Sequence, residues 1–191
     1  VDPDTATLFV PSLTSPIVDQ LVPGDPARGN LAFRRGGVGN LPTLDGLPLY
    51  KPPYSRVTAF DLNAGTLLWQ VPLGDGPREH PLLKDLQPGR LGAGTRGSPL
   101  VTRTLLFVSQ NGGGLGRGET LPVGDRPLTT LPPEPQQLRA FDKRTGALLW
   151  EKALPFGPAG APMTYLSRGK QFIVVAIGGG AQAELVAYAL P

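Results

Sequence analysis

Residues 57–70 read VTAFDLNAGTLLWQ, and residues 138–151 read LRAFDKRTGALLWE. Ala, Phe, Asp, Gly, Leu, Leu and Trp stand in the same register in both copies, and the two tryptophans of the chain, Trp69 and Trp150, occupy the same place in each. A fixed pattern written twice marks a repeated supersecondary unit, each copy of which buries its apolar face against its neighbours. Each copy reads as a hairpin. Asp61 and Asp142 offer a side chain that accepts backbone N–H bonds within a tight loop, and Gly65 and Gly146 take positive φ without strain. The tryptophan then lies on the returning strand, where a large flat ring covers the turn or the adjoining sheet.

Outward from these hairpins the chain gives nearly three copies of one plan. The first runs from TATLFVPSL (5–13) through the Trp69 hairpin, and the second from SPLVTRTLLFVSQ (98–110) through the Trp150 hairpin. The third begins at APMTYLSRGKQFIVVAIGG (161–179) and reaches ELVAYAL (184–190) without a returning tryptophan strand. Strands are expected over 7–10, 57–61, 67–71, 100–109, 138–141, 148–152, 163–166, 171–177 and 184–189. No segment sustains a helical period, and Gly or Pro punctuates nearly every gap, so the fold class is all-β. Asp61 and Asp142 are 81 residues apart, whereas compact propeller blades repeat every ~40–50 residues. Insertions at 22–54 and 111–137 account for the excess, and the second, with GGGLGRG and LPPEPQQ, is expected to be a mobile surface loop.

Composition narrows the chemistry. The chain of 191 residues has no Cys, one Met and one His, which excludes a disulfide framework, a thiolate nucleophile and Cys-based metal sites. A net charge of +3 comes from scattered basic residues, and only 7% of the chain is aromatic, so no basic stripe with stacking residues marks a nucleic-acid partner. The longest apolar stretch, 172–177, is far shorter than the ~20 residues of a membrane-spanning helix. Gly 26 and Pro 23 approach the content of low-complexity chains, but the apolar residues cluster in short β-type runs between turns. The absence of an initiating Met suggests a processed or truncated start.

Several chemical candidates weaken on inspection. The glycines of 112–118 lack GxGxxG spacing and a following helix, so a dinucleotide cradle is not supported. Gly169 and Lys170 lack the upstream glycine of a P-loop. His80, framed by Pro77 and Pro81, has no Ser, Cys or carboxylate arranged as a triad around it, which favours a structural or surface role. A carbohydrate contact at the loop of Tyr50 and Tyr54 rests on aromatic exposure alone.

The AFD…G..LLW pattern closely resembles the tryptophan-docking motif of quinoprotein dehydrogenases, which carry pyrroloquinoline quinone (PQQ) on an eight-bladed β-propeller. The resemblance covers essentially the whole chain. Residues 47–86 resemble the late blades of the glucose dehydrogenase branch, GSPLVTRTLLFV (97–108) precedes the next docking motif as in that branch, and GAPMTYLSRGKQFIVVAIGGG (160–180) with ELVAYALP (184–191) resembles its C-terminus. The resemblance implies a partial β-propeller of about three blades, with units near 1–73, 95–155 and 156–191 in one domain, contributing one wall of a cofactor cavity. It also implies oxidation of a sugar or alcohol, a quinone or cytochrome electron acceptor, and a periplasmic location, with membrane association through a preceding region as one option.

In such proteins a calcium ion polarises the quinone and an upstream Asp is the catalytic base. No segment here matches those motifs, so catalytic residues and calcium ligands are expected outside this chain, in the remainder of the parent propeller, and residues 1–191 alone are expected to be inactive. The carry-over to this chain is limited to two segments. Thr95, Arg96, Gly97 and Ser98 align with a segment that approaches the cofactor; Arg96 stands where relatives have Gly, and is either a partner for a quinone carboxylate or a solvated loop residue. Gly178, Gly179 and Gly180 align with a loop that reaches the cofactor, either for close backbone approach or as a strand-end turn. Gly180 stands where membrane glucose dehydrogenases carry His, which argues against glucose. Similar repeats also occur in non-catalytic propellers, including a lipoprotein that assists outer-membrane barrel assembly, so a scaffold or interaction module is the alternative reading.

Overall fold

The computed structural model describes residues 1–113, 115, 119–125, 127–129 and 131–189, with Val38 described by its backbone alone. In chain order the strands are β1 (Thr7–Leu13), β2 (Ile17–Pro23), β3 (Phe33–Asn40), β4 (Thr43–Leu44) and β5 (Leu47–Pro48). Then follow β6 (Ser55–Asp61), β7 (Thr66–Pro72), β8 (Gly97–Val101), β9 (Leu105–Gln110) and β10 (Thr120–Leu121). The last five are β11 (Gln137–Asp142), β12 (Leu148–Ala153), β13 (Met163–Ser167), β14 (Lys170–Ile177) and β15 (Glu184–Ala189). The only helical pieces among the described residues are two single 3₁₀ turns, and the all-β expectation holds.

Two compact units are present. The larger contains three antiparallel sheets in the orders β1-β6-β7, β12-β11-β9-β8 and β13-β14-β15, none of which closes into a barrel. Only the middle sheet has the four strands of a full propeller blade; the flanking sheets have three each. This is the partial propeller that the resemblance implies. β9 is buried on both faces, and its period of two divides its side chains between neighbours. Leu106 and Val108 pack with Phe9, Val57, Ala59 and Trp69 of the first sheet. Phe107, between them, packs with Ile173, Val175 and Ile177 of the third.

Both repeated hairpins form as expected. Asp61 Oδ1 accepts the amides of Asn63 and Ala64 at 2.8 and 3.0 Å, and Asp142 Oδ1 accepts those of Arg144 and Thr145 at 2.9 Å each. Gly65 and Gly146 have φ of +67° and +74°. Trp69 covers the turn of the second copy: its Nε1 donates to Lys143 O at 3.1 Å, and its ring lies where a Cβ on Gly146 would come within 2.7 Å. Trp150 instead meets the edge of Tyr188 at 5.6 Å between ring centroids and stays 40% exposed against 9% for Trp69. The two tryptophans share a sequence position but only Trp69 has a docking turn among the described residues.

Two expectations change. Residues 100–109 are not one strand: β8 and β9 form an antiparallel hairpin closed at Thr102, whose amide donates to Leu105 O at 2.9 Å while its hydroxyl accepts the Leu105 amide at 3.2 Å. The regions 22–54 and 111–137 also carry strands among their described residues. Residues 15–51 and 115–131 make the second compact unit, containing the β2-β3 ribbon and a β10-β4-β5 sheet. There β10 runs parallel to β4, and the buried Asp45 carboxylate accepts both the Thr129 amide at 2.6 Å and its hydroxyl at 2.7 Å. Within the glycine-rich run 112–118, residues 114 and 116–118 lie outside the described residues.

Candidate cofactor site

The antiparallel registers decide which chain segments share an end. Gly97 opens β8 and pairs with Gln110, the last residue of β9, which pairs in turn with Gln137 at the start of β11. In the third sheet Ile177 closes β14 opposite Glu184, and Gly178, Gly179 and Gly180 follow. Short contacts join the two ends. Thr95 Oγ1 donates to Asn111 O at 2.7 Å; a Cβ on Gly157 would lie 2.5 Å from Asn111 Oδ1; and the Gly178 amide donates to Gly157 O at 2.8 Å. The two segments singled out in the sequence therefore stand at the same end of adjacent sheets.

Their residues differ in character. Arg96 is exposed and makes no hydrogen bond or ion pair among the described residues. Gly97 is required by packing, since a Cβ there would sit 2.7 Å from Val108 Cγ1 and 2.8 Å from Leu73 Cδ2. Ser98 is half-buried and pairs with Ser109 across the β8-β9 ladder. Gly178 has φ of +71° and its missing Cβ would fall 2.1 Å from Gln182 O, so the turn demands glycine there. Gly179 is extended (φ −174°) and exposed, with nothing within 4 Å of a notional Cβ, and Gly180 (φ +57°) is equally open.

An unpaired guanidinium at the sheet end shared with open glycine backbone suits a flat, carboxylate-bearing ligand such as PQQ, because an arginine supplies charge-assisted donors and glycines permit close approach. The residues present fit that group. Among the described residues no group of three or more His, Cys, Asp or Glu side chains is gathered.

Beneath this end lies a polar cluster that sequence reading missed. Arg139 of β11 is 1% exposed. Its Nε donates to Glu151 at 3.1 Å, its Nη1 donates to Gln110 Oε1, and its Nη2 stands 4.0 Å from Glu134. Arg90 holds Glu151 through both nitrogens at 2.8 and 3.1 Å. Glu134 also accepts the Gly76 amide. Hydrogen bonding from Arg90 is the main reason the Glu151 carboxyl titrates below its ordinary range. Burial pushes the Glu134 carboxyl up and the Arg139 guanidinium down.

The repeat held a signal for this cluster. Arg139 and Glu151 are cross-strand partners, and the same two positions in the first copy are Thr58 and Gln70, whose side chains bond at 2.9 Å. The pair is neutral in one copy and charged in the other. His80 is structural: fully buried, with Nδ1 accepting the Leu82 amide at 3.1 Å. Tyr54 is likewise buried, at 4% exposure, which removes it as a carbohydrate platform.

Stacked, tryptophan-docked antiparallel sheets with one shared loop end define a β-propeller repeat protein. Residues 1–173 match the family model for the glucose/ethanol/alcohol dehydrogenase β-propeller domain of PQQ proteins, and the chain belongs to the PQQ-dependent quinoprotein dehydrogenase family. A probable quinate dehydrogenase (quinone) of Xanthomonas campestris pv. juglandis is 34% identical over 155 residues, covering 76% of this chain and 17% of the relative. The quinoprotein glucose dehydrogenase A of Acinetobacter calcoaceticus is 30% identical over 213 residues, covering 100% of this chain and 24% of the relative. The chain thus spans about a quarter or less of the length of these relatives. Among solved structures, a quinohemoprotein alcohol dehydrogenase from Pseudomonas putida HK5 shares the fold with a TM-score of 0.54 at 20% identity, over 94% of this chain and 21% of that one.

Proposed function

We propose that this chain is the C-terminal part of a quinoprotein oxidoreductase that oxidises a sugar or alcohol with PQQ, in blade units near 1–73, 95–155 and 156–191. The observation that carries the reading is the unpaired Arg96 guanidinium at the sheet end shared with the open glycine turn, on a scaffold of the quinoprotein family. In this reading Arg96 pairs with a quinone carboxylate, Gly97 and Ser98 carry the segment past the ligand, and Gly178, Gly179 and Gly180 let backbone approach it. When bound, the quinone takes up the electrons released as a substrate hydroxyl becomes a carbonyl. Calcium and the catalytic base are assigned to residues outside this chain.

Relatives named for quinate or shikimate, glycerol and glucose set the substrate classes to try, with a quinone or cytochrome as acceptor and a periplasmic location. The test is PQQ-dependent dye reduction by the full natural protein with polyol, sugar and cyclic hydroxy-acid substrates. Stimulation by PQQ supports the reading; no stimulation with any class favours a non-catalytic propeller scaffold. Residues 1–191 alone are expected to give no dye reduction, and robust reduction by them overturns the assignment of the catalytic groups elsewhere.

A further inference from the structure

We propose that Gln110 is a positioning residue for Arg96, transmitting the rigidity of the buried Arg139 cluster to the segment that meets the cofactor. The inference rests on the cofactor reading of Arg96. Gln110 is 2% exposed. Its Oε1 accepts from Arg139 Nη1, and because a guanidinium can only donate, this fixes which way round the amide sits. Nε2 must then face the other side, where it finds three acceptors: Leu73 O at 3.2 Å, Thr95 O at 3.3 Å and Ser55 Oγ at 3.4 Å.

Thr95 is gripped twice. Its carbonyl accepts from Gln110, and its hydroxyl donates to the carbonyl of Asn111, the next residue. On the far side of Arg96, Gly97 is wedged between Val108 and Leu73 and ladder-paired to Gln110 itself. The backbone on both sides of Arg96 is therefore fixed by one buried side chain and its strand. Arg139, which orients that side chain, is held by Glu151, and Glu151 by Arg90. A guanidinium aimed by a constrained backbone loses less freedom on binding a carboxylate than one on a loose loop.

The test uses the full natural protein freed of cofactor and titrated with PQQ, followed by quenching of tryptophan fluorescence. Gln110→Glu keeps an acceptor for Arg139 but removes both donors to Thr95 and Leu73. We expect it to raise the Kd for PQQ about tenfold, which is about 1.4 kcal/mol, and to speed amide exchange at residues 95–97 in the cofactor-free protein. In an Arg96→Ala background the same change should alter Kd less than about twofold, because contacts that act through one another are not additive. An equal loss in both backgrounds overturns the proposal and makes Gln110 a general structural residue. If Arg96→Ala alone leaves Kd unchanged, the cofactor role of Arg96 falls and this inference with it. Gln110→Met serves as the second variant: it should also weaken PQQ binding only while Arg96 is present, and a tight-binding Met variant likewise refutes the role.

Discussion

The two copies of the docking motif allow one glycine to serve as the control for the other. Gly65 and Gly146 occupy the same turn position at φ of +67° and +74°, so replacing either with Ala imposes a left-handed conformation costing about 1–2 kcal/mol. Their surroundings differ. A Cβ on Gly65 meets nothing within 4 Å, whereas a Cβ on Gly146 comes within 2.7 and 2.9 Å of the Trp69 ring and 3.0 Å of Val71 Cγ1. Trp69 is itself packed against Phe9 at 5.8 Å between centroids and tied through Nε1 to Lys143 O, so it cannot retreat without loss. Overpacking of this kind adds about 1–3 kcal/mol. Gly146→Ala should therefore destabilise by about 2–5 kcal/mol and Gly65→Ala by about 1–2. Urea unfolding of the full natural protein, followed by fluorescence and by circular dichroism, reads the difference. Equal losses for the two variants would refute the claim that the first tryptophan is docked on the second turn.

Further expectations concern the buried cluster and the sheet contacts. Arg139→Met should destabilise by about 3 kcal/mol, since it leaves the buried Gln110 Oε1 without its donor and removes the cation that faces the Glu134 and Glu151 carboxyls; a loss below about 1 kcal/mol in urea unfolding contradicts the role given to the cluster. Trp69→Phe should cost about 1 kcal/mol through the bond to Lys143 O in addition to lost packing, and should exceed the effect of Trp150→Phe measured in the same way. For pH, the Lys143 ammonium bonds Asp2 at 2.6 Å and holds its carboxyl below the ordinary value of 3.8. A depressed folded value means stability that is present above pH 3.8 and lost as pH falls through the folded value. Lys143→Met should therefore be less stable than the natural protein at pH 6, with the gap closing in acid, and a gap that is constant with pH refutes the coupling. The raised Glu134 carboxyl acts with the opposite sign, so Glu134→Gln should gain stability relative to the natural protein as pH rises above the ordinary carboxylate range.

What was legible in the sequence was local. The hairpins announce themselves because Asp-x-x-x-Gly turns and an alternating strand lie within one short window; that window puts both tryptophans on returning strands, but not which surface each covers, since Trp69 meets the Gly146 turn and Trp150 meets Tyr188. The β8-β9 hairpin did not announce itself: its turn at Thr102 is closed by a threonine hydroxyl and carries no Gly or Pro. The β4-β10 pairing joins Thr43 to Thr120 through a hydroxyl contact across 77 residues, with no local pattern to betray it. Arg96 and the glycines were visible only through resemblance, whereas the registers of the sheets supply the physical reason they share an end. The Arg139 cluster draws on residues from Asp75 to Glu151, and only its cross-strand pair could be compared between copies.

The proposed cofactor role of this chain depends on Arg96 meeting an anionic quinone. Titration of the cofactor-free full natural protein with PQQ, comparing the natural sequence with Arg96→Ala and Arg96→Lys, tests this most directly. Loss of one charge-assisted contact predicts a Kd raised about tenfold or more for Ala and partly restored for Lys. Identical affinities in all three proteins would contradict it and leave Arg96 a solvated loop residue.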